Sequence, residues 1–461
     1  MSSSRNRQLV KTALLLAALP LTVLGVKKII DIRKGAAGTP ANISIEVDTY
    51  TGSLPTQLWQ NLAQGGEEPA DMIGPVWPLV RALKPQLIRV DHLFDYYNVY
   101  QGPDNFDFSR LDKVVQSIVL TGATPLLSLS YTPASMAKNN QNAGEPQDWN
   151  QWYQLVKATA DRYSRQKEIS GIYYEVWNEP DLFGGWHYSK SPSYSLLYTH
   201  TARAIRDGAE GSSFKIGGPA ITAFYPNWIR ALMSTASSQR LPLDFISWHR
   251  YSKNLTDYEQ DIDKLESILA DYPQYINIER LITEFGPNSE PDPDYDNLES
   301  GVHLISLVTR LIGRVHRLFP FEIVDGPTSR SNVSTGWGMI THPPSPRAKP
   351  RYNAVQFLNR LQGQRLALTG QGSWVTALAT RQGSKIQVLL SNYDPRSQHV
   401  ETFPLALAGV QPGTWKIESY TYPRSGIEPR VSQVEVTSFR LQKEYYLEPN
   451  TSLLLEFTPQ P

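Results

Sequence analysis

The chain contains no cysteine among its 461 residues. This absence excludes a disulfide-stapled fold and any metal site built on thiolates, and it leaves the cellular compartment open. An excess of either charge is also missing, because 44 basic residues balance 44 acidic ones. No overall electrostatic field therefore favours a nucleic acid as partner. The length exceeds one ordinary domain, and a barrel of roughly 250 to 300 residues with a smaller module is a natural division.

One long apolar run stands at the amino terminus, from Thr12 to Val26, and basic residues flank it on both sides. Basic residues followed by an apolar run are typical of a signal sequence. No clear cleavage site follows directly, and with Ile29 and Ile30 the run is just long enough to span a bilayer. We expect residues 1–42 to form an uncleaved membrane anchor and a linker, with the body in the periplasm or at the cell surface. The alternative is a cleaved signal and a secreted protein.

Beyond the linker, short apolar strands alternate with amphipathic helices up to residue 363. The predicted strands are Trp59–Ala63, Leu87–Val90, Leu126–Ser130, Ile172–Trp177, Lys215–Gly218, Phe245–Trp248, Leu281–Thr283 and Phe321–Val324. Eight strand–helix repeats predict an α/β protein with a (β/α)8 barrel rather than a doubly wound sheet. The barrel domain is placed at residues 43–363, with a long last-but-one helix at about 298–318.

After residue 363 the helical period disappears, and short alternating strands are separated by Gly, Pro and Asn. This pattern predicts a separate β-sandwich at residues 364–461. The alternating segment Ile43–Thr49, which precedes the barrel, is a candidate additional strand of that sandwich.

Two of the barrel strands end in a glutamate. The fourth strand runs into Asn178-Glu179-Pro180, and the seventh runs into Glu284. Because the carboxyl ends of barrel strands form the catalytic face, both carboxylates are expected there. Two facing carboxyl groups are what glycoside hydrolysis requires, one as acid and base and the other as nucleophile. Aromatic residues that follow strands at this face, including Trp186, Tyr225 and Trp337, are candidate platforms for sugar rings, with loop packing as the alternative.

The chain resembles clan A glycoside hydrolases, and most of all glycoside hydrolase family 39, whose members join such a barrel to a β-sandwich. The similarity covers roughly residues 45–460. It is carried by the segments Arg89 to Tyr100, Asn105 to Asp112, Leu127 to Ala134, Glu175 to Asp181, Ser247 to Tyr251 and Thr283 to Gly286. The Asn-Glu pair and the late glutamate are shared by the whole clan, whereas the second-strand segment and the sandwich are more particular.

The resemblance implies that Glu179 is the general acid/base and that Glu284 is the nucleophile. It also implies substrate-binding roles for Asn178, Arg89, His92, His249 and Tyr251, with Asn178 on the sugar 2-hydroxyl. An arginine at the end of a buried strand needs an anion, and such a cation would keep Glu284 ionised. Without the resemblance, Arg89 would be interpreted as a salt-bridge residue and His249 as a core histidine.

The chain departs from the family's xylosidases at two places. Those enzymes carry Arg-x-His-Gly on the second strand, where this chain has Arg89-Val90-Asp91-His92. They also carry Phe-Glu-Glu after the eighth strand, a place that the predicted strand assigns to Asp325-Gly326-Pro327-Thr328. The sugar therefore stays open, although the hydrolytic chemistry does not depend on it.

We predict a retaining glycoside hydrolase that cleaves a β-linked oligo- or polysaccharide and needs no cofactor and no metal. Its expected partners are the carbohydrate substrate and, through the amino-terminal segment, a membrane; no nucleic acid is expected. One alternative is a catalytically inactive protein that binds carbohydrate or assists exopolysaccharide assembly. Another is a transglycosylase, which shares the covalent intermediate.

Overall fold

The computed structural model of the protein describes residues 38–327, 336–423 and 429–460. Within them the helices are α1 (Trp77–Ala82), α2 (Ser109–Leu120), α3 (Trp149–Ala160), α4 (Tyr194–Gly208), α5 (Pro226–Gln239), α6 (Leu255–Leu269), α7 (Leu298–Leu311) and α8 (Pro350–Leu358). The strands up to the last barrel strand are β1 (Ile43–Ser53), β2 (Asn61–Gln64), β3 (Leu87–Val90), β4 (Tyr100–Gly102), β5 (Asn105–Phe106), β6 (Thr124–Ser128), β7 (Ile172–Glu175), β8 (Phe214–Ile221), β9 (Phe245–Tyr251), β10 (Glu279–Gly286) and β11 (Arg317–Pro320). The later strands are β12 (Gln364–Thr369), β13 (Val375–Gln382), β14 (Lys385–Asn392), β15 (Glu401–Ala408), β16 (Gly413–Tyr422), β17 (Arg430–Val436), β18 (Arg440–Leu447) and β19 (Thr451–Pro459).

The predicted membrane anchor lies outside the described residues, so it stays a prediction. Among the helices from residue 38 onward, none is both long enough and apolar enough to cross a bilayer.

The first large sheet is a parallel barrel, as predicted. Its eight described strands follow one another in the order β2, β3, β6, β7, β8, β9, β10 and β11. A parallel bridge between Ala63 and Phe321 joins the two ends of this order. The backbone N–H of Ile323 also donates to the carbonyl of Ala63 at 2.9 Å, which ties the end of β11 to β2. The helices between these strands cover the outside of the barrel.

A layer of apolar side chains fills the barrel interior below the catalytic face. It consists of Ala63, Leu87, Leu126, Tyr173, Phe245, Leu281 and Phe319, one from each of seven strands. The eighth strand, β8, has Gly217 beside Phe245, where an added Cβ would lie 2.5 Å from the phenyl ring. Since side chains alternate along a strand, the residue two positions after each of these points into the next layer up. That step places Arg89 after Leu87 and Glu175 after Tyr173.

The second large sheet contains the strands after the barrel, and β1 as well. In the described chain its order is β17, β16, β19, β14, β13, β12, β1, β15 and β18. The segment β1 pairs antiparallel with β12 and parallel with β15, so it lies within this sheet rather than in the barrel. Ile43 and Ile45 of β1 are buried in the apolar core of this second domain.

Helix α7 connects the barrel to the β-rich second domain through a hydroxyl seam. The seam is made of Ser306 and Thr309 of the helix and Thr376, Ser391 and Ser452 of the second domain. The Ser391 hydroxyl lies 2.7 Å from the hydroxyls of both Ser306 and Ser452. Thr309 donates to the Thr376 hydroxyl at 2.7 Å. All of these groups are buried. At this buried contact between the domains, the hydroxyl groups therefore form hydrogen bonds with one another instead of with water.

The structure corrects the predicted position of the eighth barrel strand. It runs over Arg317–Pro320, not Phe321–Val324, and α7 ends at Leu311 rather than near residue 318. Chain reversal occurs at Gly313, which has a φ of +82°. The segment after the eighth strand is therefore Phe321-Glu322-Ile323, so the family's Phe-Glu-Glu differs here only in its third residue.

Candidate active site

The site occupies the mouth of the barrel, where β3, β7, β9 and β10 end. Glu175 is the last residue of β7, and the chain then turns so that Trp177 and Glu179 adopt φ values of +72° and +47°. The N–H of Glu179 donates to the carbonyl of Ala220 at 2.9 Å, which fixes this turn against β8. Glu284 lies within β10, one strand beyond β9.

Arg89 is fully buried at the centre of the site and donates to three different side chains. Its Nε lies 2.6 Å from a Glu175 oxygen, its Nη1 2.8 Å from Glu284 Oε1, and its Nη2 2.6 Å from Asn178 Oδ1. Burial alone would lower the pKa of Arg89, but the carboxylates of Glu175, Glu284 and Asp91 outweigh it and raise the pKa above its ordinary value. Arg89 is thus a fixed cation that holds Asn178, and with it the turn that bears Glu179, beside Glu284.

The two predicted catalytic carboxylates face each other. One oxygen of Glu179, one oxygen of Glu284 and one ring nitrogen of His249 all lie within 4.8 Å of one another. His249 Nδ1 is 2.9 Å from Glu179 Oε1 and 3.5 Å from Glu284 Oε2. Tyr251 donates its hydroxyl to Glu284 Oε2 at 2.7 Å. Each carboxylate is therefore held in place by neighbouring side chains.

Burial has the largest single effect on the pKa values of Glu284 and His249. Burial raises the pKa of Glu284 above that of an ordinary glutamate, and the positive charges of His249 and Arg89 only partly offset the increase. For His249, burial lowers the pKa, but the carboxylates of Glu284 and Glu179 more than compensate and raise it. Arg89 thus favours the ionised form of Glu284, as expected, but burial has the larger effect on the pKa of that carboxyl.

Among the described residues, Glu179, His249 and Glu284 are the group whose donor types and spacing could hold a metal ion. The guanidinium of Arg89 already lies 2.8 Å from Glu284, and Tyr251 occupies the other oxygen of that carboxylate. A second cation at this position would be repelled by the first. The donors present suit a proton-transfer site better than a metal site.

The remaining predicted residues are placed as follows. Asn178 accepts from Arg89 and donates from Nδ2 to the Tyr131 hydroxyl at 2.7 Å, so its amide orientation is fixed. His92 lines the cavity, with Nδ1 2.8 Å from Asp95 and its ring stacked on Tyr96 at 4.2 Å. Trp337 also lines the cavity.

Trp186 does not face the cavity, which corrects the prediction that it binds substrate. Its side chain is only 2% exposed. The ring packs edge-on against Trp177 at 5.2 Å and lies 6.3 Å from the ring of Trp149. An aromatic ring covered on these sides has no free face for a sugar.

The cavity has a volume of about 800 Å³ and holds more functional groups than the sequence indicated. Its lining includes the candidate Tyr225 and, beyond the residues predicted, Gly65, Gly66, Glu67, Asp91, Tyr131, Asp181, Leu182, Phe183, Glu290 and Phe321. Most of these follow barrel strands, so the rule that placed Glu179 at the catalytic face could have found them. No sequence pattern of their own marks Tyr131 and Phe183 as site residues, and only their contacts in the structure identify them.

Glu322 lies in the segment that the shifted eighth strand brings forward. Gln64 donates to it at 2.8 Å, and the N–H of Gly65 donates at 3.3 Å. Its side chain is fully buried, and burial raises the pKa of Glu322 well above its ordinary value. Burial therefore favours the neutral form of this carboxyl, while its Oε2 accepts both hydrogen bonds.

A parallel barrel with an Asn-Glu pair just after the fourth strand and a glutamate on the seventh is the arrangement expected from the resemblance to clan A glycoside hydrolases. A family model described as glycosyl hydrolases family 39 matches residues 85–302. The chain is similar to a β-xylosidase of Geobacillus stearothermophilus, with 25% identity over 300 residues that span 58% of each protein. It is also similar to a β-xylosidase of Caldicellulosiruptor saccharolyticus, with 24% identity over 339 residues, or 67% of this chain and 68% of that protein.

The fold matches a solved monomeric β-xylosidase from Caulobacter crescentus with a TM-score of 0.75 and 19% identity, over 91% of this chain and all of that one. The resemblance to glycosyl hydrolase family 39 is confirmed by the family model over residues 85–302 and by both β-xylosidases. The match spans less than two thirds of the Geobacillus protein. The prediction of a parallel barrel joined to a β-rich second domain is confirmed.

Proposed function

We propose that the protein is a retaining β-glycosidase in which Glu284 is the nucleophile and Glu179 the general acid/base. The observation that carries this proposal is the spacing of the two carboxylates, whose nearest oxygens lie within 4.8 Å. Retaining enzymes hold these groups about 5 to 5.5 Å apart, whereas inverting enzymes leave about 6.5 to 9.5 Å for a water molecule.

The steps follow from the positions of the side chains. Glu284, oriented by Arg89 and Tyr251, attacks the anomeric carbon and forms a glycosyl ester. Glu179 gives its proton to the departing oxygen and then takes a proton from the water that cleaves the ester. Asn178, fixed by Arg89 and Tyr131, presents its amide to the sugar 2-hydroxyl, where hydrogen bonds strengthen in the transition state.

The test is a pair of alanine variants assayed on a panel of aryl β-glycosides. Glu284→Ala should abolish turnover of every substrate that the wild type cleaves. Glu179→Ala should retain substrates whose leaving group needs no protonation, and added azide should then yield a β-glycosyl azide. Product analysis by NMR should show retention of the anomeric configuration. An inverted product, or activity that survives Glu284→Ala, would contradict the assignment; binding without turnover would support a non-catalytic carbohydrate-binding protein.

We further propose that the sugar bound is neutral, as xylose is. Six carboxylates lie among the described residues that line the cavity: Glu67, Asp91, Glu179, Asp181, Glu284 and Glu290. The arginine that lines it, Arg250, forms two hydrogen bonds of 2.6 Å with Asp261 and is neutralised by it. A uronic acid would bring another negative charge into this group. Hydrolysis of 4-nitrophenyl β-xyloside should therefore exceed that of the β-glucuronide, and the reverse order would refute the proposal.

We also propose that residues 12–26 tether the enzyme to a membrane with the barrel outside the cytoplasm. The support is the apolar run itself and its basic flanks. Full-length protein should fractionate with membranes, and removal of residues 1–34 should release it. Full-length protein that stays in the soluble fraction with its amino terminus intact would count against the tether.

A further inference from the structure

Three apolar side chains form a shelf at the lip of the cavity: Leu182, Phe183 and Tyr225. All three line the cavity and are exposed, at 60%, 42% and 44% respectively. Single exposed apolar side chains are common on protein surfaces and need no explanation. Three exposed apolar side chains that line the same cavity are more typical of a binding site.

The loop that carries the shelf is built on the acid/base residue itself. The N–H groups of Leu182 and Phe183 both donate to the carbonyl of Glu179, at 2.9 and 2.7 Å. Trp177 donates its indole N–H to the Phe183 carbonyl at 3.1 Å. Leu182 and Phe183 are therefore fixed relative to Glu179 by main-chain geometry.

A second tie brings Tyr225 to the same wall. The Asp181 carboxylate accepts a hydrogen bond from the Thr222 N–H at 3.0 Å and another from the Thr222 hydroxyl. This pair joins the loop after β7 to the loop after β8, from which Tyr225 projects. The shelf is thus organised before any ligand arrives, so its binding would cost little ordering entropy.

The position of the shelf relative to the two carboxylates indicates on which side of the scissile bond the shelf contacts the substrate. In the proposed reaction the acid protonates the departing oxygen, so the wall built around Glu179 faces the leaving group. A second wall is built around the proposed nucleophile: the ring of Phe321 lies 6.4 Å from Tyr251, which bonds Glu284, and 5.8 Å from Trp337. That wall faces the sugar that becomes bonded to the enzyme.

We propose that Leu182, Phe183 and Tyr225 form the aglycone subsite and bind a leaving group with a flat apolar face. An aromatic ring and the C–H face of a pyranose both have this chemistry, because each offers an apolar surface to an aromatic side chain. The inference rests on the proposed glycosidase function and adds which substrates that function prefers.

The experiment compares three substrates with the same glycone: 4-nitrophenyl β-xyloside, xylobiose and β-xylosyl fluoride. The fluoride has no ring beyond the scissile bond and cannot touch the shelf. Phe183→Ala and Tyr225→Ala should each lower kcat/KM about tenfold for the two ring-bearing substrates, through loss of ring contact. The same variants should leave kcat/KM for the fluoride unchanged, and Tyr225→Phe should behave as the wild type.

A matched control is Tyr188→Ala, which truncates an exposed aromatic residue of the same loop that does not line the cavity. It should leave all three substrates unaffected. Loss on the nitrophenyl substrate alone would identify an aryl aglycone, and loss on xylobiose alone would identify a sugar. Equal losses on the fluoride, or no loss on either ring-bearing substrate, would overturn the subsite. A wild type that cleaves none of a full glycone panel would instead contradict the proposed function, and the subsite with it.

Discussion

At the scale of single residues, Arg89 has a buried partner that the sequence did not indicate. Arg89 donates to Glu175 at 2.6 Å as well as to Glu284 at 2.8 Å. Its guanidinium therefore bridges two buried carboxylates. Burial then outweighs the cation and raises the pKa of Glu284. The sequence identified Arg89 and Glu284 as partners but contained no sign that Glu175 would compete.

The direction of this pKa shift predicts the pH dependence. Glu284 must be ionised to attack, so kcat/KM should fall as the pH drops through a value above 4.5, the ordinary pKa of a glutamate. His249 is the strongest of the charges that lower the pKa of Glu284, ahead of Arg89. His249→Asn should therefore raise that pKa further and move the acid limb of the kcat/KM profile to higher pH.

The control for this shift is His303→Asn, a buried histidine that bonds the Ser252 carbonyl at 2.9 Å. This variant carries the same substitution of asparagine for histidine, but at a position outside the group formed by Glu179, His249 and Glu284. The acid limb of its kcat/KM profile should therefore stay in place. An acid limb that does not move in His249→Asn, or moves to lower pH, would show that His249 carries no charge that Glu284 senses.

At the scale of elements, seven barrel strands could be predicted because each is a short apolar run between amphipathic helices. The eighth was misplaced by four residues. Apolar residues continue beyond Leu311 through Ile312, Val315 and Leu318, so the helical period hides the turn at Gly313. Trp186 was misassigned for a related reason, since a residue's place after a strand does not tell whether its ring faces the cavity or the core.

The hydroxyl seam gives a prediction at the same scale. Ser391→Ala should lower the free energy of unfolding by about 1 to 3 kcal/mol, because it leaves the buried hydroxyls of Ser306 and Ser452 without this partner. The triple alanine variant of Ser306, Ser391 and Ser452 should cost less than the sum of the three single changes, since no hydroxyl is then left over. Urea unfolding of the four variants measures both quantities.

Ser267→Ala serves as the matched control, because the Ser267 hydroxyl is exposed and bonds only within α6, to the Asp263 carbonyl. Its unfolding midpoint should match that of the wild type. Strict additivity across the seam would show that its hydroxyls act independently.

At the scale of the whole molecule, the two domains are expected to depend on each other. The apolar cluster of the barrel includes side chains from the β-rich second domain, namely Leu378, Leu389, Tyr393, Tyr420, Tyr422 and Leu454. A protein of residues 50–363 would lose these contacts and most of β1, and it would expose the apolar surface they cover. We expect it to be insoluble, whereas residues 38–461 should unfold in one calorimetric transition. A soluble, active barrel alone would contradict this expectation.

The course of the chain through β1 has a consequence for synthesis. Ser53 at the end of β1 pairs with Gln364, and the Arg365 side chain bonds the Ser53 carbonyl across a separation of 312 residues. A ribosome adds about 5 to 20 residues each second, so β1 waits many seconds for its first partner while the entire barrel is made. During that interval the unpaired strand, whose isoleucines are buried in the folded protein, can pair with strands of other chains. The polar residues that alternate with Ile43, Ile45 and Val47 are thus a safeguard during translation as much as a surface of the finished enzyme.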